Sequence, residues 1–239
     1  MNWMVKAGVT RGDQVQAMDF PVHRLYNLGS ATRDPSRAEA HQTEMAEAGV
    51  AIALEVPPPR VYPMAPAILT TTSEVYVQGH HTSGEAEIVV VSHEGELYVG
   101  VGSDHTDRDL ETTSILWSKQ VCPNVLAPEL WLWADVAKHW DRCELELDVD
   151  GEPYQRLPVS MFLTPPQLMS TVRDRAKVPV SGVWVFGGTG ASISRKLAFG
   201  HHWEFRLVDP ALNRRLEHYY DVTILLDEVQ PKYRVPLVR

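Results

Sequence analysis

Residues 85–103 carry the feature that most limits how this chain can fold. Glu85-Ala-Glu-Ile-Val-Val-Val91 is rich in β-branched residues, Ser92-His-Glu-Gly-Glu96 reads as a turn, and Leu97-Tyr-Val-Gly-Val-Gly-Ser103 as the returning strand. Side chains alternate along a strand, so Glu85 and Glu87 share one face while Ala86 and Ile88 take the other. A turn centred on Glu94-Gly95 pairs positions whose numbers sum to 189, which sets Glu85 opposite Asp104 on the same face. Three carboxylates then converge, and their repulsion calls for protons or a cation. A hard divalent ion with oxygen ligands meets that need, Mg²⁺ first and Mn²⁺ or Ca²⁺ after it. The plainer reading of Glu-x-Glu is a solvent-facing strand edge, and a one-residue slip of register would separate Glu85 from Asp104.

The rest of the chain has more strand than helix. Leu145 to Gln155 carries an Asp150-Gly151 hairpin signal, Val183-Trp-Val-Phe186 is a short buried-type strand, and Trp203 to Val208 and His218 to Leu226 are further strands. Pro165 to Ala176 reads as one helix with Leu168, Met169 and Val172 as its apolar face. Before these, Pro57-Pro58-Pro59, Pro63 and Pro66 mark an extended connector, because proline lacks the amide proton that a helix or central strand needs. An N-terminal segment, 1–65, is thereby set off from a main domain, 66–239. Within it, Asp34-Pro35 starts a helix and Gly49 ends it, with Ala38, His41, Met45 and Ala48 on one face and Glu44 beside His41. The expected fold class is α+β, mainly β and mainly antiparallel.

Charge and composition narrow the partners. The chain has 239 residues, 31 Asp+Glu against 22 Lys+Arg and a formal net charge of −9, which argues against a nucleic-acid backbone or an anionic membrane as partner. No apolar run is long enough for a transmembrane helix, and the N-terminus lacks the pattern of a secretory leader. Cys122 and Cys143, the only cysteines, suit neither a disulfide framework nor a zinc ribbon. A cytoplasmic location is expected.

Several pieces in order resemble the fumarylacetoacetate hydrolase superfamily: Glu85-Ala-Glu87, Gly102-Ser-Asp104-His-Thr-Asp-Arg108-Asp109-Leu, Trp117-Ser-Lys119, Asp150-Gly151-Glu-Pro-Tyr-Gln155, Val159-Ser-Met-Phe162 and Gly182-Val-Trp-Val-Phe-Gly-Gly-Thr189-Gly190. They run from about residue 66 to 225, in what looks like a divergent branch related to acylpyruvate hydrolases. The resemblance implies a mixed β-roll or barrel with few helices. It also implies a homodimer and a metal-dependent reaction on a small carbonyl or carboxylate substrate. Glu85, Glu87 and Asp104 match the metal ligands, Lys119 a lysine near the substrate's oxygens, and Arg108 and Thr189 positions beside the substrate. His41-Gln-Thr-Glu44 resembles the His-x-x-Glu pair that activates water, and one helical turn does let Glu44 orient the His41 imidazole. The alternative is an inward-facing helix histidine bonded to its neighbour. The implied reaction is hydrolysis of a C–C bond next to a carbonyl; decarboxylation, keto–enol isomerisation or simple ligand binding are the alternatives.

The chain departs from the family around the substrate: Gly29-Ser-Ala-Thr32 replaces the usual Gly-Arg-Asn-Tyr, a lysine is lost near Glu55-Val56, and Gly187-Gly188-Thr189-Gly190 replaces Thr-Gly-Thr-Pro. Gly187 to Ser192 lacks the Gly-Lys-Ser/Thr of a phosphate loop and reads as a tight turn whose amides, Gly188 among them, could face an oxyanion. Asp148-Val-Asp150-Gly151 is a hairpin turn rather than a calcium loop, and His80-His81 and His201-His202 lack metal-ligand spacing. Tryptophans 117, 131, 133, 140, 184 and 203 read as core and interface anchors, and Cys122 as a structural thiol.

Overall fold

A computed structural model describes residues 3–11, 14–34, 36, 49–51, 53 and 55–237. His41 and Glu44 lie outside the described residues, as does most of the helix expected between Asp34 and Gly49. Of the described residues nearby, the Ser36 amide donates to Asp34 Oδ1 over 3.0 Å, and Gly49 has a left-handed φ of 88°.

Among the described residues the chain builds two large sheets and one two-stranded ladder. The larger uses β1 (Trp3–Arg11), β2 (Gln14–Val22), β3 (Arg24–Gly29), β4 (Arg60–Met64), β5 (Leu69–Thr70), β8 (Ala86–His93), β9 (Glu96–Asp104), β11 (Asn124–Leu126), β12 (Glu129–Leu132) and β15 (Val183–Phe186). Its main path runs β2-β1-β12-β9-β8-β15-β3-β4, with β11 and β5 attached beside β9. The smaller has the order β14-β13-β16-β17-β6, from β6 (Glu74–Val77), β13 (Glu144–Val149), β14 (Glu152–Pro158), β16 (His202–Asp209) and β17 (Arg214–Ile224). A short ladder joins β7 (Thr82–Ser83) to β10 (Thr106–Asp107). The larger sheet curls into a half-barrel, and the α-helical elements bounded among the described residues are α1 (Arg108–Glu111), α2 (Ile115–Gln120), α3 (Trp133–Val136) and α4 (Pro165–Arg175). This is the expected α+β, mainly β, class.

The continuous apolar run of β8 is explained by burial on both faces. Ala86, Ile88 and Val90 enter a core shared with the smaller sheet and with Leu168, Met169 and Val172 of α4. Val89 and Val91 point the other way, into a second core with Val5, Ala7, Val9, Phe20 and Trp184. Glu87 continues that second face, so the acidic end of β8 adjoins an apolar interior.

Strands from both sides of residue 65 share the larger sheet. The strands at 3–29 were not anticipated, although Val5, Ala7 and Val9 are buried in alternation along β1. The proline-rich connector is partly a strand: Arg60–Met64 pairs with β3 at the sheet's edge, where Pro63 lies opposite Tyr26 and its missing amide is tolerated. Trp131, Trp140, Trp184 and Trp203 are core residues as expected, whereas Trp117 is 60% exposed.

Candidate metal centre

The β8–β9 hairpin has the expected register. Ala86 pairs with Ser103, Glu87 with Gly102 and His93 with Glu96, and Glu94 and Gly95 turn the chain with φ of 49° and 84°. The Asp104 amide donates to the Glu85 carbonyl over 3.1 Å, so the two residues lie side by side where the strands end. One ligand oxygen each from Glu85, Glu87 and Asp104 lies within 4.8 Å of the other two. Glu87 and Asp104 are buried and Glu85 is partly so, which removes the solvent-edge reading.

Two cations sit against the three carboxylates. Arg108, at the start of α1, donates from Nη2 to Glu85 Oε1 over 2.7 Å, from Nη1 to Glu111 Oε2 over 2.9 Å and from Nε to Ser83 Oγ over 2.6 Å. Lys119, on α2, donates to Asp104 Oδ2 and lies 3.9 Å from Glu85 Oε2. Burial works against the charge on both cations, but the surrounding carboxylates outweigh it and raise their pKa values, so both stay protonated. Glu87 is the weak point of this balance. Burial and then the Asp104 and Glu85 charges push its carboxyl well above the usual range, against the opposing effects of Lys119 and the Gly188 amide. Asp104 is raised as well, first by burial. Its Oδ1 is one of the few buried side-chain atoms among the described residues with no hydrogen-bond partner.

An all-oxygen set of three carboxylates, two with raised pKa values and one presenting an oxygen without a partner among the described residues, fits a hard divalent cation. A bound ion would satisfy Asp104 Oδ1 and favour the ionised form of Glu87. Soft or tetrahedral-site metals fit less well, since neither nitrogen nor sulfur is in the group.

Gly188 and Thr189, also expected at the site, bond to the protein itself. The Gly188 amide, expected to face an oxyanion, donates to Glu87 Oε2 over 2.9 Å. Its φ is 80° and a Cβ there would lie 2.8 Å from the Leu28 carbonyl, so the position needs glycine. Thr189 donates to the Ala86 carbonyl over 2.9 Å and accepts from Gln155 Nε2 over 3.0 Å, while Gln155 Oε1 accepts from the Ala86 amide over 3.0 Å. Thr189 and Gln155 thus grip the residue between Glu85 and Glu87.

Four contributors escaped the sequence reading. Gln155 was seen only as part of a resembling segment. Glu111 is three residues from Arg108 on a helix too short for periodicity to reveal. His105 and Tyr220 are wholly buried behind the carboxylates, and burial brings the His105 pKa down to about 3. Cys122 is also buried, which pushes its thiol up to about 12 and suits a structural role.

The half-barrel with an acidic group at the end of its central hairpin has the fold of the fumarylacetoacetate hydrolase superfamily. More particularly, the model of the family described as "Protein of unknown function (DUF2848)" matches residues 28–220, and the chain belongs to that family. Among solved structures, the chain is similar to fumarylpyruvate hydrolase from Pseudomonas aeruginosa in complex with Mn²⁺ and pyruvate. That pair shares 19% identity over 92% of this chain and 97% of that one, with a TM-score of 0.62. It is also similar to 2-hydroxyhepta-2,4-diene-1,7-dioate isomerase from Mycobacterium marinum, at 12% identity over 88% and 79% of the two chains and a TM-score of 0.61. 5-Carboxymethyl-2-hydroxymuconate delta-isomerase from Mycobacterium smegmatis follows at 13% identity, 90% and 86% coverage and a TM-score of 0.59. No curated protein sequence matches the chain. No helix among the described residues is long and apolar enough to cross a membrane.

Proposed function

We propose that the protein is a divalent-metal-dependent hydrolase that cleaves a C–C bond next to a carbonyl in a small 2-oxo or 1,3-dicarbonyl acid. The observation that carries this reading is the Glu85–Glu87–Asp104 group, with Glu87 and Asp104 buried and an Asp104 oxygen that has no hydrogen-bond partner among the described residues. The Mn²⁺ and pyruvate bound by the Pseudomonas aeruginosa enzyme support both the class of ion and a 2-oxo acid fragment. Mg²⁺ is the proposed physiological ion, with Mn²⁺ and Ca²⁺ as substitutes, and a cytoplasmic homodimer the proposed form.

Glu85, Glu87 and Asp104 would hold the ion, which when bound supplies Lewis acidity toward carbonyl oxygens. Arg108 fixes the Glu85 carboxylate and Gly188 that of Glu87, so neither has to reorganise when substrate arrives. His41, oriented by Glu44, removes a proton from water, whose oxygen attacks the carbonyl carbon. The C–C bond then breaks, its electron pair leaves as an enolate, and that fragment takes the proton that His41 removed from water. Lys119, protonated at the edge of the carboxylate group, offsets negative charge developing on the substrate oxygens.

A second reading keeps the enolate chemistry without water: a decarboxylase or keto–enol isomerase, supported by the isomerases among the structural neighbours. Assay of an acylpyruvate with Mg²⁺, with chelator and with His41→Ala separates the readings. Metal-dependent cleavage lost in His41→Ala supports hydrolysis, retained enolisation supports the second reading, and activity that survives chelation contradicts both.

A further inference from the structure

Behind the carboxylates lies a chain of buried hydrogen bonds that the proposed reaction does not use. The Glu85 amide donates to Ser103 Oγ over 3.2 Å, and Ser103 Oγ lies 2.9 Å from the Tyr220 hydroxyl. That hydroxyl is 2.9 Å from His105 Nδ1, and His105 Nε2 is 2.9 Å from Thr82 Oγ1. Ser103, His105 and Tyr220 are fully buried and Thr82 nearly so. Their polar atoms therefore depend on one another rather than on water.

The topology gives this chain its importance. Ser103 and His105 are the two neighbours of Asp104, and both bond to one hydroxyl that comes from β17 of the other sheet. The Tyr220 ring is itself held, stacked on Trp203 at 6.4 Å between centroids and 8° between planes. Gly84 keeps the space open, because a Cβ there would overlap both the Tyr220 and Ser103 hydroxyls. The hydroxyl is thus a fixed point to which the backbone on either side of Asp104, and through Ser103 the amide of Glu85, is tied.

We propose that Tyr220, Ser103 and His105 are positioning residues of the metal centre: the phenol hydroxyl from the smaller sheet fixes the spacing between the Glu85 and Asp104 carboxylates and thereby sets the affinity for the divalent ion. This rests on the metal-centre reading above. Groups that hydrogen-bond metal ligands directly typically change affinity by roughly 10- to 100-fold when lost. Ser103 reaches Glu85 through its backbone amide and Tyr220 acts one residue further out, so the lower end of that range applies. A purely structural hydroxyl would instead change only the stability of the metal-free fold.

The test measures Mn²⁺ dissociation constants of the purified full-length chain by electron paramagnetic resonance of the free ion, with thermal melts of the metal-free protein alongside. Tyr220→Phe, which keeps the ring, is expected to weaken Mn²⁺ binding by roughly 10-fold. Ser103→Ala, which removes the acceptor of the Glu85 amide, should do the same and serves if Tyr220→Phe does not fold. His105→Asn, whose amide offers the hydroxyl a polar partner, should stay nearer to wild-type affinity than His105→Leu. Folded Tyr220→Phe or Ser103→Ala protein with wild-type Mn²⁺ affinity would overturn the proposal while leaving the metal centre intact. Absence of Mn²⁺ binding by the wild type would overturn both.

Discussion

Two groups of carboxylates in this molecule differ in how their charge is met. On the smaller sheet, Asp148 accepts from Arg206 Nη1 over 2.6 Å and from Arg156 Nη2 over 2.5 Å, while Arg206 also bonds Glu204 over 2.5 Å. Burial opposes the Asp148 charge, yet the two arginines outweigh it and hold its carboxyl below the usual range. At the end of the β8–β9 hairpin, Glu87 and Asp104 move the opposite way, and one oxygen of Asp104 has no partner among the described residues. Acidic residues are gathered in both places, but of the two groups the hairpin one alone combines raised carboxyl pKa values with an oxygen that has no partner among the described residues. The sign of the shift together with the unpartnered oxygen, rather than the number of acids, distinguishes a candidate ion site from a satisfied ion-pair network.

The contrast can be broken by substitution. Glu87→Ala is expected to have the largest effect, removing metal-dependent turnover and metal-dependent stabilisation together. At an ion concentration a hundred times its dissociation constant, wild type should gain about 2.7 kcal/mol from Mn²⁺ and the variant none, read from urea melts with and without the ion. Lys119→Met comes next. It leaves Asp104 without its cation and should cost the metal-free protein about 3 kcal/mol, a loss that shrinks when Mn²⁺ is added. Retention of the full loss in saturating Mn²⁺ would show that the ion does not reach Asp104.

The outer network should respond more weakly. Arg206→Met is expected to cost about 1 kcal/mol, with no dependence on Mn²⁺. Because the folded-state pKa of Asp148 is depressed, its stabilisation is present above the unfolded value of about 3.9 and is lost as pH falls through the folded value. Asp148→Asn should therefore flatten the acid limb of the stability profile below about pH 4, as urea melts at several pH values would record. An unchanged acid limb would mean that the two arginines do not stabilise the ionised form.

The hairpin group was legible because strand alternation and one turn position are enough to bring Glu85, Glu87 and Asp104 together, and the observed register matches that arithmetic. Val183–Phe186, the Asp150-Gly151 turn and the Pro165 helix were legible for similarly local reasons. What escaped depends on distant partners. Pro63 hid an edge strand whose pairing is supplied by β3, and the N-terminal strands carry alternation that the Asp34–Gly49 helix signal overshadowed. Tyr220 reaches the centre from a strand more than a hundred residues away, and no spacing rule connects it to Ser103. Gly188 and Thr189 were placed beside the site, but their bonds to Glu87 and Ala86 follow from how β15 ends against β8.

Calorimetric titration of the metal-free chain with Mn²⁺ decides whether Glu85, Glu87 and Asp104 hold one divalent ion. One ion per chain is expected in the wild type and none in Asp104→Asn, whose amide keeps the shape but removes the anionic oxygen. No binding by the wild type at millimolar Mn²⁺, or unchanged binding by the variant, would contradict that assignment.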